Sequence, residues 1–375
     1  MNSNSQINKN TGRKIQVALV FGGKSPEHEI SLLSAKNIYE AMDREKFEPI
    51  LIGISQQGTW FLYTSPQVFN FKKIEDSNKE LNTTPITLIS KNEAPQIYNL
   101  KDHSYQPIEI AFPVLHGTFG EDGCVQGFFK LLNLPFVGCD VWSSAAGMDK
   151  EVMKRILNEA KIPNARHILI TPENTPSYAT ISSQIGSPFF IKPANMGSSV
   201  GVYKISSEQD FQLKLKDSFR YDFKILAEEF IKGREIECAV LGTQENPQAS
   251  TAGEVIPLHD FYSYEAKYLD EKGADLKIPA DLSAQDLQRV QTLAKKVFST
   301  MGCDGFSRVD FFLKANGEIY VNEINTIPGF TKISMYPKMW EASGLAYKNL
   351  ITQLIDLGLA RFKKASSLER AFSKN

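Results

Sequence analysis

The sequence has few of the features that mark secreted, membrane-spanning or metal-clustering proteins. Its four cysteines are scattered without a C-x-x-C pair, and its five histidines show no metal-ligand spacing. Such cysteines are typical of reduced, mostly structural thiols in a cytoplasm. No apolar run approaches the ~18–20 residues that a membrane span needs. These absences argue against a disulfide framework, a histidine–cysteine metal cluster and a membrane-spanning helix.

An excess of charge is also missing, because 42 Lys and Arg residues are balanced by 43 Asp and Glu residues. This balance gives no support to a nucleic-acid or membrane-surface partner. Residues 1–14 are polar and contain no apolar segment of the kind found in a secretory signal. We therefore expect a cytoplasmic protein without nucleic-acid or membrane partners, and we interpret residues 1–13 as a disordered tail.

The length and the start of the chain indicate a multidomain α/β protein. A chain of 375 residues with 42% hydrophobic and 23% charged residues is expected to form two or three globular domains. Residues 15–21 (IQVALVF) are typical of a strand buried on both faces of a parallel sheet. Ser25 is predicted to cap a helix that has Pro26 at its first position and reaches about residue 42.

Two further strands, at 49–54 and 108–115, complete a βαβ pattern that is typical of a doubly wound sheet. We interpret the irregular segment 56–107 as an insertion that lies over this sheet. A Rossmann-like N-terminal domain is therefore predicted over residues 14–140. Ligands of such sheets bind at the carboxyl ends of the strands, which here carry residues 22–27 and 116–123.

The rest of the chain predicts two more modules. A helix is expected over about 144–161, with Asp149 and Lys150 on its exposed face. A hairpin with the Gly/Ser-rich turn ANMGSS is expected over 189–205. Residues 259–280 form a long polar and aromatic loop, and loops of this length are usually functional or disordered.

The segment from Arg308 to Gly329 predicts a β-hairpin that turns at Asn316-Gly317. Asn-Gly is the strongest short hairpin signal, because both residues of a two-residue loop must adopt positive φ. Such a loop places Asp310 directly opposite Glu323, and Arg308 opposite Asn325. Alternation of side chains then puts all four groups on one face.

The facing carboxylates of Asp310 and Glu323 have two interpretations. Acids directly opposite each other repel, and oxygen ligands from two carboxylates and the amide of Asn325 suit a hard ion such as Mg²⁺. The alternative is a solvated acidic hairpin with Arg308 as counter-ion. The hairpin alone does not decide between a metal site and a surface.

Several other polar residues have both a functional and an ordinary interpretation. Lys192 precedes a turn whose backbone N–H groups can hold phosphate, so Lys192 can pair with a phosphate group. A lysine at the end of a strand is, however, commonly just solvated. The same two interpretations apply to Lys150 on its predicted helix. Glu228 and Glu229 end a predicted strand. A carboxylate at this place can accept hydrogen bonds from ribose hydroxyls, or it can be an exposed acidic side chain at the edge of the sheet.

Glu27 and His116 are similarly ambiguous. Glu27 can complement the dipole of a helix's first turn or anchor a substrate ammonium group. His116 follows a buried strand, where it can be a satisfied histidine at the rim or orient a substrate carboxylate.

In their order along the chain these segments resemble the ATP-grasp superfamily, and within it the D-alanine–D-alanine ligases. The resemblance runs from residue 17 to about 359 and depends on GGKSPEHEIS, HGTFGEDGCVQG, MDK, IKPANMGSSVGV, GREIE, YSYEAKY, RVDFF and NEINTIPGFT. It implies an α/β (in part α+β) ATP-grasp fold. The Rossmann-like domain is then followed by a central nucleotide-binding domain (141–240) and a C-terminal domain (241–365) with the lid loop 259–280.

The resemblance also implies roles for single residues. The expected ATP-binding residues are Lys150, Lys192, Gly197, Ser198, Glu228, Glu229, Ile231, Glu235 and Lys267. The expected substrate-binding residues are Glu27, His116, Tyr262, Arg308, Gly329, Ser334 and Met335. Asp310, Glu323 and Asn325 would hold two Mg²⁺ (or Mn²⁺) ions, Arg308 and Gly329 would stabilise an oxyanion, and Glu27, Ser198 and Tyr268 would close the lid.

The expected function is ATP-dependent joining of two D-alanines through an acylphosphate, for peptidoglycan precursor synthesis, by a homodimer. Alternatives within the family are a D-serine or D-lactate acceptor, or a nucleotide-binding protein without catalysis. A nicotinamide-dependent oxidoreductase is disfavoured, because residues 21–25 (FGGKS) lack the G-x-G-x-x-G pattern.

Overall fold

The computed structural model describes residues 13–257 and 274–369. Its strands are β1 (Ile15–Gly22), β2 (Phe47–Ile54), β3 (Trp60–Tyr63), β4 (Thr83–Lys91), β5 (Ala94–Asn99), β6 (Tyr105–Pro107), β7 (Ile110–Val114), β8 (His167–Ile170), β9 (Phe189–Pro193), β10 (Tyr203–Ile205), β11 (Ile225–Glu229), β12 (Arg234–Gly242), β13 (Pro247–Pro257), β14 (Ala274–Lys277), β15 (Gly305–Leu313) and β16 (Ile319–Asn325). Its helices are α1 (His28–Ala41), α2 (Ile74–Glu80), α3 (Cys124–Leu131), α4 (Val141–Met148), α5 (Lys150–Glu159), α6 (Tyr178–Ile185), α7 (Glu208–Ser218), α8 (Ala284–Thr300), α9 (Met335–Ala342) and α10 (Tyr347–Ser366), with a short 3₁₀ helix at Pro66–Asn70.

The described strands form three sheets. The N-terminal sheet has the order β6-β5-β4-β3-β2-β1-β7, the central sheet β10-β9-β11-β8, and the C-terminal sheet β14-β13-β12-β15-β16. β1 pairs in parallel with both β2 and β7, as the apolar run at its centre predicts. The predicted mixed α/β class is therefore confirmed. β13 and α9 are further elements that the sequence analysis did not predict.

The segment between β2 and β7 does not lie over the sheet, so that interpretation was wrong. β3 to β6 instead extend the sheet sideways as antiparallel strands. The cause is period-2 burial in β4, where Ile86 and Leu88 are 3% exposed and join the core formed with Val20 and Ile52. The segment adds strands to the sheet because alternate residues such as Ile86 and Leu88 extend the core on one of its faces.

The predicted start of the first helix was also wrong. α1 begins at His28, and its N-cap residue is Glu27, which makes no side-chain capping bond. The Ser25 hydroxyl instead donates to the backbone carbonyl of His116 at 2.5 Å and accepts from the N–H of Glu27 at 3.2 Å. Ser25 therefore ties the loop after β1 to the loop after β7.

The single helix expected over 144–161 is two helices, α4 and α5. Asp149 separates them, and its carboxylate accepts from the N–H groups of Glu151 and Val152, both at 3.1 Å. This capping makes Asp149 a helix-starting residue. Lys150 is the first residue of α5 and its side chain is only 14% exposed, so neither residue lies on an exposed face as predicted.

The N-terminal and C-terminal sheets share one apolar core. Val17 and Leu19 of β1 belong to the same buried cluster as Tyr336 of α9 and Leu350 of α10. Ala239 of β12 extends the cluster into the C-terminal sheet. This core keeps the loops at the end of β1 and β7 next to the loop that precedes α9. Within the described ranges, no helix has the length and hydrophobicity required to cross a bilayer.

Candidate active site

Glu27 lies between two loops that belong to different sheets. The hydroxyl of Ser198 donates to Glu27 Oε1 at 2.5 Å. A Cβ added to Gly117 would lie 2.7 Å from Glu27 Oε2, and one added to Gly197 would lie 3.4 Å from it. Gly117 also has a φ of +75°, so both its backbone conformation and the close approach of Glu27 require glycine here. The expected contact between Glu27 and Ser198 is present.

The loop that carries Ser198 has a constrained backbone. Ser198 and Ser199 both adopt positive φ, at 52° and 60°. Non-glycine residues rarely do so, and such conformations concentrate at ligand-binding sites. Tyr262, Lys267 and Tyr268, the other residues expected around this loop, lie outside the described residues.

His116 connects β7 to the loop that carries Gly329. It is 4% exposed, and its Nδ1 lies 3.0 Å from the carbonyl oxygen of Ile327. Its Nε2 lies 3.0 Å from the hydroxyl of Ser34, which also accepts from the N–H of Phe330 at 3.2 Å. A carbonyl only accepts, so Nδ1 carries the proton of the first bond. With both ring nitrogens bonded inside the protein, the geometry favours the satisfied rim histidine of the two interpretations.

The ring of His116 also faces a buried acid. Glu121 Oε1 lies 3.6 Å from Nδ1. Burial lowers the pKa of His116, but the hydrogen bond and charge of Glu121, with the charge of Glu27, outweigh it and raise the pKa. These carboxylates therefore favour a charged ring at the edge of the Glu27 site.

The hairpin of β15 and β16 brings the predicted acidic residues together. Asp310 pairs with Glu323, and Arg308 pairs with Asn325, as the sequence analysis predicted. The turn itself differs from the prediction. The N–H of Lys314 bonds to the carbonyl of Glu318, and among the described turn residues only Gly317 has positive φ. The loop between Lys314 and Glu318 is therefore one residue longer than predicted.

A bulge restores the register that the longer loop displaces. Near the turn, Leu313 pairs with Ile319 and Phe311 with Val321, one residue out of the predicted register. Asn322 is then the extra residue of a β-bulge, after which Asp310 meets Glu323. Bulges re-aim side chains, and the Oδ1 of Asn322 accepts from the Nζ of Lys192 at 3.4 Å.

Arg308 lies between two carboxylates. Its Nε and one terminal nitrogen each donate to Asp310 at 2.7 Å, and its Nε lies 3.0 Å from Glu237 Oε2. Burial lowers the pKa of Arg308, but the charges of Asp310 and Glu237 outweigh this and raise the pKa well above its usual value. Arg308 is therefore fully charged and held in place.

Glu237 is a site residue that the sequence analysis missed. It pairs with Asp310 across β12 and β15, so Glu237, Asp310 and Glu323 form one row over three strands. The segment GREIE contained the signal, because its two glutamates alternate as on one face of a strand. No group of three or more His, Cys, Asp or Glu side chains in residues 13–257 and 274–369 is arranged to hold a metal ion.

Two lysines converge beside this hairpin. Lys150 donates to the backbone carbonyl of Met196 at 2.8 Å and lies 3.9 Å from Glu323 Oε2. Lys192 donates to Glu228 Oε1 at 2.6 Å. The Gly/Ser loop, the start of α5 and the hairpin thus meet at two partly buried ammonium groups.

Glu228 and Glu229 are bonded differently from each other. Glu228 is 3% exposed, and its second oxygen lies 2.9 Å from Lys154. Burial raises the pKa of Glu228, but Lys154 and Lys192 outweigh this and lower it to about 2. Glu229 is bonded to Arg166 at 2.7 Å. The carboxylate of Glu228 therefore binds lysines rather than facing an open pocket.

The remaining expected residues lie around these groups. Ile231 follows β11, and Glu235 lies on β12 opposite Phe312. A Cβ added to Gly329 would lie 2.7 Å from the Ser334 hydroxyl, which accepts from the N–H of Thr331 at 2.9 Å. Met335 is 5% exposed, so its side chain is buried at the start of α9.

Comparisons with known proteins identify the family of the chain. Two family models match the chain, "D-ala D-ala ligase N-terminus" over residues 16–139 and "D-ala D-ala ligase C-terminus" over residues 156–356. The D-alanine–D-alanine ligase of Shouchella clausii is 48% identical over 370 residues, which cover 96% of this chain and 100% of that protein.

Solved structures show the same likeness. The D-alanine–D-alanine ligase of Coxiella burnetii superposes with a TM-score of 0.85 at 39% identity, covering 94% of this chain and 96% of the other. The VanG D-Ala:D-Ser ligase of Enterococcus faecalis gives a TM-score of 0.82 at 35% identity, covering 92% and 100%. The chain has the ATP-grasp fold and belongs to the D-alanine–D-alanine ligase family of ATP-dependent ligases.

Proposed function

We propose that the protein joins two D-alanines through an acylphosphate, with release of ADP and phosphate, to supply a peptidoglycan precursor. The observation that supports this most is one continuous set of contacts that connects Glu27, the Gly/Ser loop, the start of α5 and the hairpin of β15 and β16. Glu27 is bonded to Ser198, and two residues earlier the carbonyl of Met196 is bonded to Lys150, which lies beside Glu323. A site for an amino acid is thereby next to a site for phosphates.

In this proposal Mg²⁺ is held by Asp310, Glu323 and Asn325. The donor set fits, because it consists of two facing carboxylates and an amide oxygen on one face of the hairpin. When bound, the ion screens the negative charge of the phosphates during transfer. Two such ions would be held by these three residues.

The protein groups have separate tasks in the mechanism. Lys150 and Lys192 orient the ATP phosphates, and Glu27 binds the ammonium group of the first D-alanine. Arg308 and the N–H of Gly329 donate to the oxyanion that forms when the second amine attacks. Such donors are worth about 3–4 kcal/mol in other enzymes. Gly197, Ser198, Glu229, Ile231 and Glu235 are proposed to complete the nucleotide site, and Glu228 is proposed to support it by holding Lys192.

The second D-alanine is proposed to bind by its carboxylate at Ser334 and Met335. This agrees with their place at the start of α9, because a helix N-terminus presents backbone N–H groups to anions. Tyr262, Lys267 and Tyr268 are proposed to act from the predicted lid loop, which would exclude water from the acylphosphate. The predicted bounds 259–280 were wrong at one end, because residues 274–277 form β14 and pair with β13. His116 is proposed to act near the substrates indirectly, through the Ile327–Phe330 loop.

We also propose a homodimer, a cytoplasmic location where ATP is available, and domains over 14–140, 141–240 and 241–365. β12 pairs entirely within the C-terminal sheet, so the last boundary is better placed between β11 and β12. No nucleic-acid or membrane partner is proposed.

The proposal is tested by incubating the protein with ATP, Mg²⁺ and D-alanine, while phosphate release and product mass are measured. D-Alanyl-D-alanine formed in step with phosphate is the expected result. Phosphate without dipeptide, or neither, would contradict the proposal.

The acceptor needs a separate measurement, because the similar VanG structure is a D-Ala:D-Ser ligase. Tyr268, an uncharged residue, is proposed to let a D-amino acid enter, so we expect little D-alanyl-D-lactate. Product analysis with D-alanine and excess D-serine or D-lactate at pH 6 and pH 8 tests this. Substantial mixed product with either competitor would identify a different acceptor. Tyr268→Phe should raise the KM for the second D-alanine, since it removes a hydrogen bond worth about 1 kcal/mol.

A further inference from the structure

Lys154 is a buried lysine for which the proposed mechanism has no task. Its side chain is 1% exposed, and its Nζ lies 2.9 Å from Glu228 Oε2 and 3.3 Å from the carbonyl oxygen of Ala165. Burying a charged lysine is costly unless it is paired, and a residue kept at such a cost usually has a specific purpose. Burial lowers the pKa of Lys154, while the charge of Glu228 opposes that shift.

The position of Lys154 follows from three elements. It lies four residues after Lys150, so both lysines project from one face of α5. On the central sheet, Lys192 pairs with Leu226, which places Glu228 diagonally across from Lys192 on the same face. The other face carries Ile191 and Ala227, which are buried in the core of the central sheet. Glu228 is thus enclosed between two lysines, one from α5 and one from β9.

The charges in this cluster do not cancel. Lys154 and Lys192 contribute two positive charges and Glu228 one negative charge, and only Lys192, at 14% exposed, reaches solvent. With Glu228 and Lys192 alone, the pair would be neutral and the ammonium of Lys192 would be neutralised by its partner. The charge of Lys154 leaves one net positive charge, at the open end of the cluster.

We propose that Lys154 is a positioning residue for ATP. It neutralises Glu228, so that the charge of Lys192 is available to the phosphates while Glu228 still holds the Lys192 side chain in place. The proposal rests on the proposed function, in which Lys192 binds ATP. In this proposal Glu228 positions Lys192 for the phosphates, and Lys154 influences ATP binding without contacting the nucleotide.

The test compares the purified full-length protein with K154M, E228Q and K154M/E228Q in KM for ATP, KM for D-alanine, kcat and melting temperature. K154M makes the cluster neutral, so the KM for ATP should rise by at least about tenfold, because a lost unit charge near a polyphosphate removes an attraction of that order. K154M/E228Q restores one net positive charge on Lys192. Its KM for ATP should therefore be clearly lower than that of K154M, although the loss of the Glu228 contact to Lys192 keeps it above the wild-type value. The KM for D-alanine should stay unchanged in both variants.

R155M is the matched control, since Arg155 follows Lys154 on α5 but is exposed and pairs with Glu151 at 2.7 Å. It should leave every kinetic parameter unchanged. The inference is overturned if K154M keeps the wild-type KM for ATP, or if K154M/E228Q binds ATP as poorly as K154M. If K154M fails to fold, E228Q and K154M/E228Q still decide, because they differ only in the charge of Lys154. E228Q should then have the lower KM for ATP, and an equal KM in the two variants would overturn the inference. An absence of ligase activity in the wild-type protein would instead contradict the proposed function.

Discussion

Arg308 donates two parallel hydrogen bonds, each 2.7 Å long, to the carboxylate of Asp310 two residues further along β15. Arg308 is the residue proposed to stabilise the oxyanion, and Asp310 is one of the residues proposed to bind the metal ion. Glu237 lies 3.0 Å from the same guanidinium. If Asp310 binds a cation as proposed, Arg308 would still have Glu237 as a carboxylate partner, which bears on the effect of substitutions here.

Asp310→Asn should lower turnover by at least about 100-fold at saturating Mg²⁺, because charged metal ligands and the stabilisation of the transferring phosphoryl group are lost together. The fold should remain, since Glu237 still holds Arg308. Steady-state rates over a Mg²⁺ titration, with circular dichroism, measure both effects. Glu318→Gln, at the exposed turn end of the same hairpin, is the control and should be silent. Near-normal turnover of Asp310→Asn would reject the metal assignment.

Lys192→Ala should weaken ATP binding and lower turnover, because it removes the charge that faces the phosphates, while D-alanine binding without nucleotide should be little changed. Isothermal titration with a non-hydrolysable ATP analogue measures the affinity. Lys216→Ala removes an exposed lysine at the end of α7 and should have no effect. Unchanged ATP affinity and turnover in Lys192→Ala would show that Lys192 is simply a lysine at the end of a strand.

Ser198→Ala should raise the KM for D-alanine by roughly tenfold, because it removes a hydrogen bond to a charged group, a type of contact worth about 1.5–3 kcal/mol. Glu27 then loses the contact that links it to the Gly/Ser loop. Initial rates at saturating ATP give the D-alanine KM. Wild-type D-alanine kinetics in this variant would show that Glu27 needs no support from the loop.

Ser34→Ala should lower the free energy of unfolding by about 1–3 kcal/mol, because the buried N–H of Phe330 loses its acceptor and His116 loses a partner. Turnover should fall as well, since the loop between Ile327 and Phe330 carries Gly329. Urea denaturation and steady-state rates test the two effects. Ser183→Ala, an exposed serine on α6, should change stability by less than about 0.5 kcal/mol. Equal stability of both variants would exclude Ser34 as a support of this loop.

Glu228→Gln should destabilise the protein in a pH-dependent manner. The folded-state pKa of Glu228 is about 2, below its ordinary value of 4.5, so its carboxylate stabilises the fold above the ordinary value. That contribution is lost as the pH falls from 4.5 toward 2. The difference in unfolding free energy between wild type and Glu228→Gln should therefore be largest near pH 7 and shrink below pH 4.5. Urea denaturation across pH 3–7 measures it, with Glu159→Gln at the exposed end of α5 as control. A difference that is constant with pH would contradict the buried ion pairs.

Local patterns predicted about half of the strands that the structure describes, and one correct pairing resulted from two differences that cancel. The apolar runs at β1 and β7 indicate buried parallel strands because burial on both faces needs no polar residue. The pairing of Asp310 with Glu323 was predicted from a two-residue loop, and it is correct because the bulge at Asn322 cancels the longer turn. The resemblance identified the family, because eight short segments in one order are far more specific than any one of them.

The sequence by itself determined the fold class and the family, because those depend on local periodicity and on the order of short segments. Only the tertiary structure decided how the charges are paired. Lys154 of α5 and Glu228 of β11 are far apart in the chain, and only the folded structure brings them within 2.9 Å of each other. Glu237 joins Asp310 through a strand pairing equally distant in sequence. Ion pairs depend on which elements pack together, and no local pattern in the chain records that packing.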